Sequence, residues 1–71
     1  MGETIAIAGE TIRLGQLLKL AGIVDSGGEA RALLDAQAAI VNEEPETRRG
    51  RQLHPGDRVV ADGREIVVAR A

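Results

Sequence analysis

Three of the four residues at positions 48–51 are arginines, Arg48, Arg49 and Arg51, in a 71-residue chain with a formal net charge of −2. Residues 1–47 carry three basic and eight acidic side chains, net −5, whereas residues 48–71 carry six basic and three acidic ones, net +3. A guanidinium group can donate paired hydrogen bonds to phosphate oxygens. Residues 48–51, which we name the arginine loop, therefore predict contact with a phosphate-bearing polymer, with a solvated basic turn as the equally open alternative.

Few residues are available for other kinds of chemistry. The chain has no Cys and a single His, His54, so neither a disulfide nor one of the usual zinc ligand sets can be assembled from it. Glu43 and Glu44 are adjacent acids, but they lie in a polar segment without an apolar pocket that would tune them for acid–base catalysis. We therefore expect no enzymatic activity, no catalytic residue, no metal and no cofactor.

The composition also limits the partners and the location. Without Phe, Trp or Tyr, the core must consist of Leu, Ile, Val and Ala, and the chain lacks the stacking platforms of many single-strand RNA binders. No apolar run approaches the ~20 residues that span a bilayer, and the N-terminus has no signal-peptide pattern. We expect residues 1–71 to form one small cytoplasmic domain, monomeric and without membrane contact.

Two helices are predicted ahead of the arginine loop. In the first, Leu14, Leu17, Leu18 and Ala21 recur at i, i+3, i+4 and i+7 and form one apolar face, with Gly22 as the residue after the C-cap. This face leaves Gln16 and Lys19 on a different side of the helix, available for a ligand.

The second helix is predicted to begin with a capping box, with Ser26 as N-cap and Glu29 at the third helical position. Ala30, Leu33 and Leu34 supply its buried face, and Arg31 points away from the core. Because several residues of this helix are small, we expect it to pack closely against the first as an αα hairpin.

Strands and turns are predicted for the rest of the chain. Alternating and β-branched residues predict strands at residues 4–7, 39–41, 58–61 and 65–69, with a loop over residues 42–53. Pro55 and Gly56 predict a type II turn, and Asp62-Gly63 predicts a type I′ hairpin. The order β-α-α-β-β-β predicts an α+β fold, in which a short N-terminal strand and the αα hairpin pack on a small sheet of three to four strands.

Four motifs in fixed order resemble a known family: L-G-Q-L-L-K, S-G-G-E-A-R, V-N and R-R-G-R-x-L-x-x-G-D. The chain is similar to the S-four RNA-binding domain, named after ribosomal small-subunit protein four, and most similar to small bacterial members that consist of little else. The resemblance implies an alpha-L RNA-binding motif with its family-like core at about residues 12–61. It also implies a non-catalytic module for structured RNA, such as ribosomal RNA or tRNA.

The resemblance further implies that the αα hairpin and the arginine loop form one RNA-facing surface. Arg13 and Arg31 match basic positions of the family, and Asn42 matches the Asn of its V-N-G turn. Gly27 and Gly28 could cradle a phosphate at the start of helix two, with a merely flexible helix start as the alternative. The candidate RNA-binding residues are Arg13, Gln16, Lys19, Gly28, Arg31, Asn42, Arg48, Arg49 and Arg51.

Two positions depart from the family pattern. Glu43 follows Asn42 where the family usually has Gly, and Gln37 or Ala38 stands where it usually has Gly before the central strand. Glu43 places a negative charge, and a residue that disfavours positive φ, in a turn that the resemblance puts next to RNA. Asn42 is equally consistent with a structural role, in which it stabilises that turn by bonding its own backbone.

A protein-interaction module is the alternative function. It would bind an acidic partner through the arginine loop or add a strand at a sheet edge. The two functions differ in salt dependence, because phosphate contacts weaken steeply with salt and strand addition does not.

Overall fold

Two helices form where the apolar spacing predicts them. The computed structural model describes residues 2–71 and contains helix α1 at Leu14–Leu20 and helix α2 at Gly27–Asp35. Gly22 follows α1 with a φ of +74°. Its N–H donates to the Lys19 carbonyl, and the Ile23 N–H donates to the Leu18 carbonyl, each at 3.0 Å. This is a Schellman motif, and it confirms Gly22 as the residue after the C-cap.

At the start of α2, the predicted N-cap is confirmed, but one hydrogen bond of the capping box has a different partner. The Glu29 N–H donates to the Ser26 hydroxyl at 3.2 Å, as predicted. The Glu29 carboxylate, however, accepts from the Asp25 N–H at 3.0 Å, one residue before the N-cap. The acid thus still satisfies a free N–H group at the helix start, although not the one that the capping box specifies.

The sheet is larger than the sequence pattern predicts. The strands are β1 (Gly2–Ile7), β2 (Ile12–Arg13), β3 (Ala39–Val41), β4 (Glu44–Pro45), β5 (Gln52–Leu53), β6 (Arg58–Ala61) and β7 (Arg64–Arg70). Five of them form one sheet in the order β1-β7-β6-β3-β4, in which β1 runs parallel to β7 and the other neighbours are antiparallel. Strands β2 and β5 pair separately. The α+β architecture is confirmed, and the three added strands, β2, β4 and β5, are only two residues long each.

Both predicted turns are present. Asp62 and Gly63 have φ values of +53° and +71°, the positive pair of a type I′ hairpin turn between β6 and β7. Gly56 has a φ of +98°, and the Asp57 N–H donates to the His54 carbonyl at 2.9 Å, as in a type II turn.

The two departures from the family pattern both fall on backbone with positive φ. Gln37 has a φ of +55°, which identifies it, rather than Ala38, as the residue at the usual glycine position. It ends α2 in a second Schellman motif, in which the Gln37 and Ala38 N–H groups donate to the carbonyls of Leu34 and Leu33. Asn42 and Glu43, at +49° and +73°, form the tight turn between β3 and β4.

One face of the sheet and the inner faces of both helices enclose the core. The buried side chains alternate along β3 and β6, as expected for a sheet covered on one side. The buried apolar residues are Ile7, Leu14, Leu17, Leu18, Val24, Ala30, Leu34, Ala39, Val41, Leu53, Val59, Ala61, Ile66 and Val68. Among residues 2–71, no helix has both the length and the apolar character that crossing a membrane requires.

Candidate nucleic-acid interface

The backbone of the arginine loop is attached to the start of α1. The Leu14 N–H donates to the Arg51 carbonyl at 2.9 Å, and the Gly15 N–H donates to the Arg49 carbonyl at 3.0 Å. Arg13, the N-cap of α1, provides no side-chain cap. Because the first N–H groups of a helix have no partner within it, the carbonyls of the loop take the place of a capping side chain. The pairing of β2 with β5 secures the same junction.

This attachment forms an open groove between α1, the start of α2 and the arginine loop. The groove has a volume of about 440 Å³. We name it the cationic groove. The residues that line it are Arg13, Gly15, Gln16, Lys19, Gly27, Ala30, Arg49 and Gly50.

Three basic side chains of the cationic groove have no acidic partner. None of Arg13, Lys19 and Arg49 forms an ion pair with a carboxylate of residues 2–71. The Arg49 guanidinium makes one long contact, from Nη1 to the Gly27 carbonyl at 3.5 Å. That contact is weak and leaves most of its donors open. Three unpaired cations facing one open groove can hold an anion such as a phosphate.

The other two arginines of the loop bind a buried carboxylate. Glu46 is only 7% exposed and is the one buried charged residue in the described chain, residues 2–71. Arg48 donates to it from Nε and Nη2 at 3.0 and 3.1 Å, and Arg51 donates from Nη1 at 2.7 Å. The backbone N–H groups of Thr47 and Arg48 also donate to Glu46, each at 3.1 Å. The carboxylate therefore holds the loop in one conformation.

These bonds shift the ionisation of both partners. The hydrogen bonds from Arg48 and then Arg51 lower the pKa of Glu46 from 4.5 to about 2, against the opposing effect of its burial. The same hydrogen bond raises the pKa of Arg48. Glu46 is thus ionised at neutral pH and neutralises one of the three positive charges of the loop. Arg49 is the one arginine of the three that makes no ion pair within residues 2–71.

A family model described as "S4 domain" matches residues 5–69 of the chain. The chain belongs to the S4 domain family. It is also similar to the "Probable ribosome maturation protein RlbA" of Bacillus subtilis (strain 168), with 48% identity over 63 residues, which cover 89% of each chain. The resemblance noted in the sequence motifs is therefore confirmed.

Some of the candidate RNA-binding residues line the cationic groove of this S4 domain, and others lie outside it. Arg13, Gln16, Lys19 and Arg49 line it, whereas Gly28 does not. Gly27, the other glycine considered for a phosphate, does line the groove. Arg31 also lies outside the groove lining and faces Asp35 at 3.8 Å on the exposed side of α2.

Asn42 directly follows β3, and its side chain makes hydrogen bonds at the start of β6. Its amide donates to the Asp57 carboxylate at 3.1 Å, and its carbonyl oxygen accepts from the Arg58 N–H at 3.0 Å. Burial by itself would raise the pKa of Asp57, but hydrogen bonds from the His54 N–H and from Asn42 lower it. Asn42 therefore has a structural role, but through bonds to Asp57 and Arg58 and not through a bond to the backbone of its own turn.

Sequence reasoning missed Glu46 as a site residue. The available signal was the position of this acid, two residues before Arg48 and five before Arg51. The sequence also did not indicate that Gly15 and Gly50 help to form the groove wall.

Proposed function

We propose that this S4 domain is a non-catalytic module that binds structured RNA through the cationic groove. The observation that carries the proposal is the convergence of Arg13, Lys19 and Arg49, none of them ion-paired within residues 2–71, on one open groove. Family membership supports the same function, because the groove lies between the αα hairpin and the arginine loop, the surface that the family resemblance implies to face RNA.

The composition of the groove favours folded RNA as the ligand. The chain has no aromatic residue on which a run of unpaired bases could stack. Arginine and lysine instead recognise the phosphate spacing and shape of a helical RNA. The name of the Bacillus subtilis relative refers to ribosome maturation, which makes ribosomal RNA the first candidate and tRNA the second.

Salt titration of single variants tests the proposal. Three phosphate contacts predict a log–log slope of affinity against salt of about −2 to −3. Arg49→Ala, Arg13→Ala and Lys19→Ala should each weaken binding to ribosomal RNA fragments and make that slope about one unit shallower. Arg70→Ala is the matched control, because Arg70 is an exposed arginine at the end of β7, outside the groove.

Fluorescence anisotropy with labelled RNA fragments measures these affinities. Equal affinity of all groove variants and the wild type at every salt concentration would contradict the proposal. Arg48→Ala should have a smaller effect on the slope than Arg49→Ala, since Arg48 is paired with Glu46.

Strand addition at β1 is the second candidate function. This strand lies at one end of the five-stranded sheet, so its outer backbone groups have no strand partner there among residues 2–71. A protein that adds a strand at this edge would bind with little dependence on salt and would not be displaced by heparin or polyphosphate. RNA binding through the groove would respond to both.

A further inference from the structure

The most exposed large apolar side chain in the described residues lies next to the cationic groove. Leu20, the last residue of α1, is 64% exposed, compared with 37% for both Ile40 and Val60. The buried residues of α1 are Leu14, Leu17 and Leu18, and Leu20 is not among them. The core therefore does not account for the position of Leu20.

Leu20 forms one end of a second depression of about 380 Å³, lined by Ile12, Gln16, Lys19 and Leu20. We name these four residues the Leu20 shelf. Gln16 and Lys19 also line the cationic groove, so the two depressions share a wall. Gln16 and Leu20 are four residues apart and lie on one side of α1. The N-cap residue Arg13 lines the cationic groove together with Gln16, so that Arg13, Gln16 and Leu20 form one continuous stripe of surface.

This stripe changes from cationic to apolar over its length. A polymer whose phosphates lie between Arg13 and Arg49 would next reach the amide of Gln16 and then the aliphatic surface of Leu20 and Ile12. No carboxylate lines either depression in the described part of the chain. An acidic polymer can therefore pass from one to the other without charge repulsion.

The chemistry of the shelf fits an unpaired nucleobase. Within a duplex, bases are stacked and expose only their edges in the grooves, so a protruding leucine meets sugar and phosphate. A bulged or looped-out base exposes an apolar face, which can cover Leu20 and Ile12, and a polar edge. The side-chain amide of Gln16 has both donors and an acceptor and so can hydrogen-bond that edge.

We propose that the Leu20 shelf receives one unpaired nucleobase of the RNA whose phosphates occupy the cationic groove. This inference rests on the proposed function and adds to it that the preferred ligand is a duplex interrupted by a bulge or loop. Aliphatic contact replaces the aromatic stacking that the composition rules out. The continuity of the shelf with the groove, through Gln16 and Lys19, is the reason for assigning it to RNA rather than to a protein.

Two matched RNA hairpins test the inference. Both have the same stem, closed by the same non-nucleotide linker, so that one contains no unpaired base and the other contains a single bulged A, C, G or U. Both are titrated at low salt by fluorescence anisotropy. The wild type should bind the bulged hairpin about fivefold more tightly for at least one base, a contact at the low end of base-stacking energies. Leu20→Ala should abolish this preference and leave the affinity for the paired hairpin unchanged.

Two further variants separate this inference from the proposed function. Ile40→Ala is the control for removal of an exposed aliphatic side chain, because Ile40 lies on β3 outside both depressions, and it should change neither affinity. Arg49→Ala should weaken binding to both hairpins by the same factor. Circular dichroism melts confirm that each variant is folded.

The possible results are distinguishable. Equal binding of both hairpins by the wild type, or equal weakening of both by Leu20→Ala, would overturn the shelf assignment. The proposed function would still stand if Arg49→Ala weakened both. If neither hairpin bound at low salt, or if Arg49→Ala had no effect, the proposed function would fail together with the inference.

Discussion

Replacing Glu46 with Gln should destabilise the protein at neutral pH. The substitution keeps the side-chain shape but removes the charge that Arg48 and Arg51 share, and places an amide NH₂ group beside their donors. The fall of the Glu46 pKa from 4.5 to about 2 corresponds to about 3 kcal/mol at full conversion. The Arg48 side chain is 72% exposed, so solvent screening reduces the value, and we expect a loss of about 1–2 kcal/mol.

The stabilisation by Glu46 depends on pH with a defined sign. Its pKa is lower in the folded state than in the unfolded chain, so the stabilisation is complete above about 4.5 and is lost as the pH falls through about 2. The difference in melting temperature between wild type and Glu46→Gln should therefore be largest at pH 7 and close progressively between about pH 4.5 and pH 2.

Thermal melts followed by far-UV circular dichroism measure this difference, since the chain has no Trp or Tyr for fluorescence. A loss of about 1–2 kcal/mol lowers the melting temperature of a domain of this size by roughly 5–15 °C. Glu44→Gln, which removes an exposed acid two residues away, is the control and should change little. A melting-temperature difference for Glu46→Gln that is the same at pH 7 and pH 2 would refute the reasoning.

Two further predictions concern the helix cap and the β3–β4 turn. Ser26→Ala removes the hydrogen bond to the Glu29 N–H and should cost about 1 kcal/mol, visible as a lower melting temperature; an unchanged melt would show that this cap does not hold the start of α2. Glu43→Gly relieves a φ of +73° and should raise stability by up to about 1 kcal/mol, whereas Glu44→Gly, at a strand position, should lower it. If Glu43→Gly also tightens RNA binding more at low salt than at high salt, the turn contacts phosphate; because Glu43 does not line the cationic groove, we expect a smaller change than for Arg49→Ala.

Local sequence patterns were sufficient to predict the main helices, strands and turns of the fold. The apolar spacing from Leu14 to Ala21 and the glycine at position 22 predicted α1 and its end. Asp62-Gly63 predicted the hairpin turn, because few residue pairs accept positive φ at both positions. These signals lie within a few residues of the structure they specify.

Short strands were not predictable in the same way. Strands β2, β4 and β5 have two residues each, too few for an alternating pattern. Two of them, β2 and β5, pair Ile12 with Leu53, about forty positions apart in the chain. Such strands exist only because the rest of the fold brings their backbones together.

The candidate site likewise has features that the sequence predicts and features that depend on contacts between distant residues. The sequence by itself determined the charge of the arginine loop, the helix start that it faces and the family that uses both. Only the tertiary structure decided which arginines are open to a ligand. The backbone N–H of Glu46 donates to the Ala39 carbonyl at 3.0 Å, and its buried carboxylate pairs with Arg48 and Arg51. The Gly15 N–H, which donates to the Arg49 carbonyl, fixes Arg49 beside α1. The physical reason is that charge is a property of each residue, whereas the pairing of charges depends on burial and on contacts between distant parts of the chain.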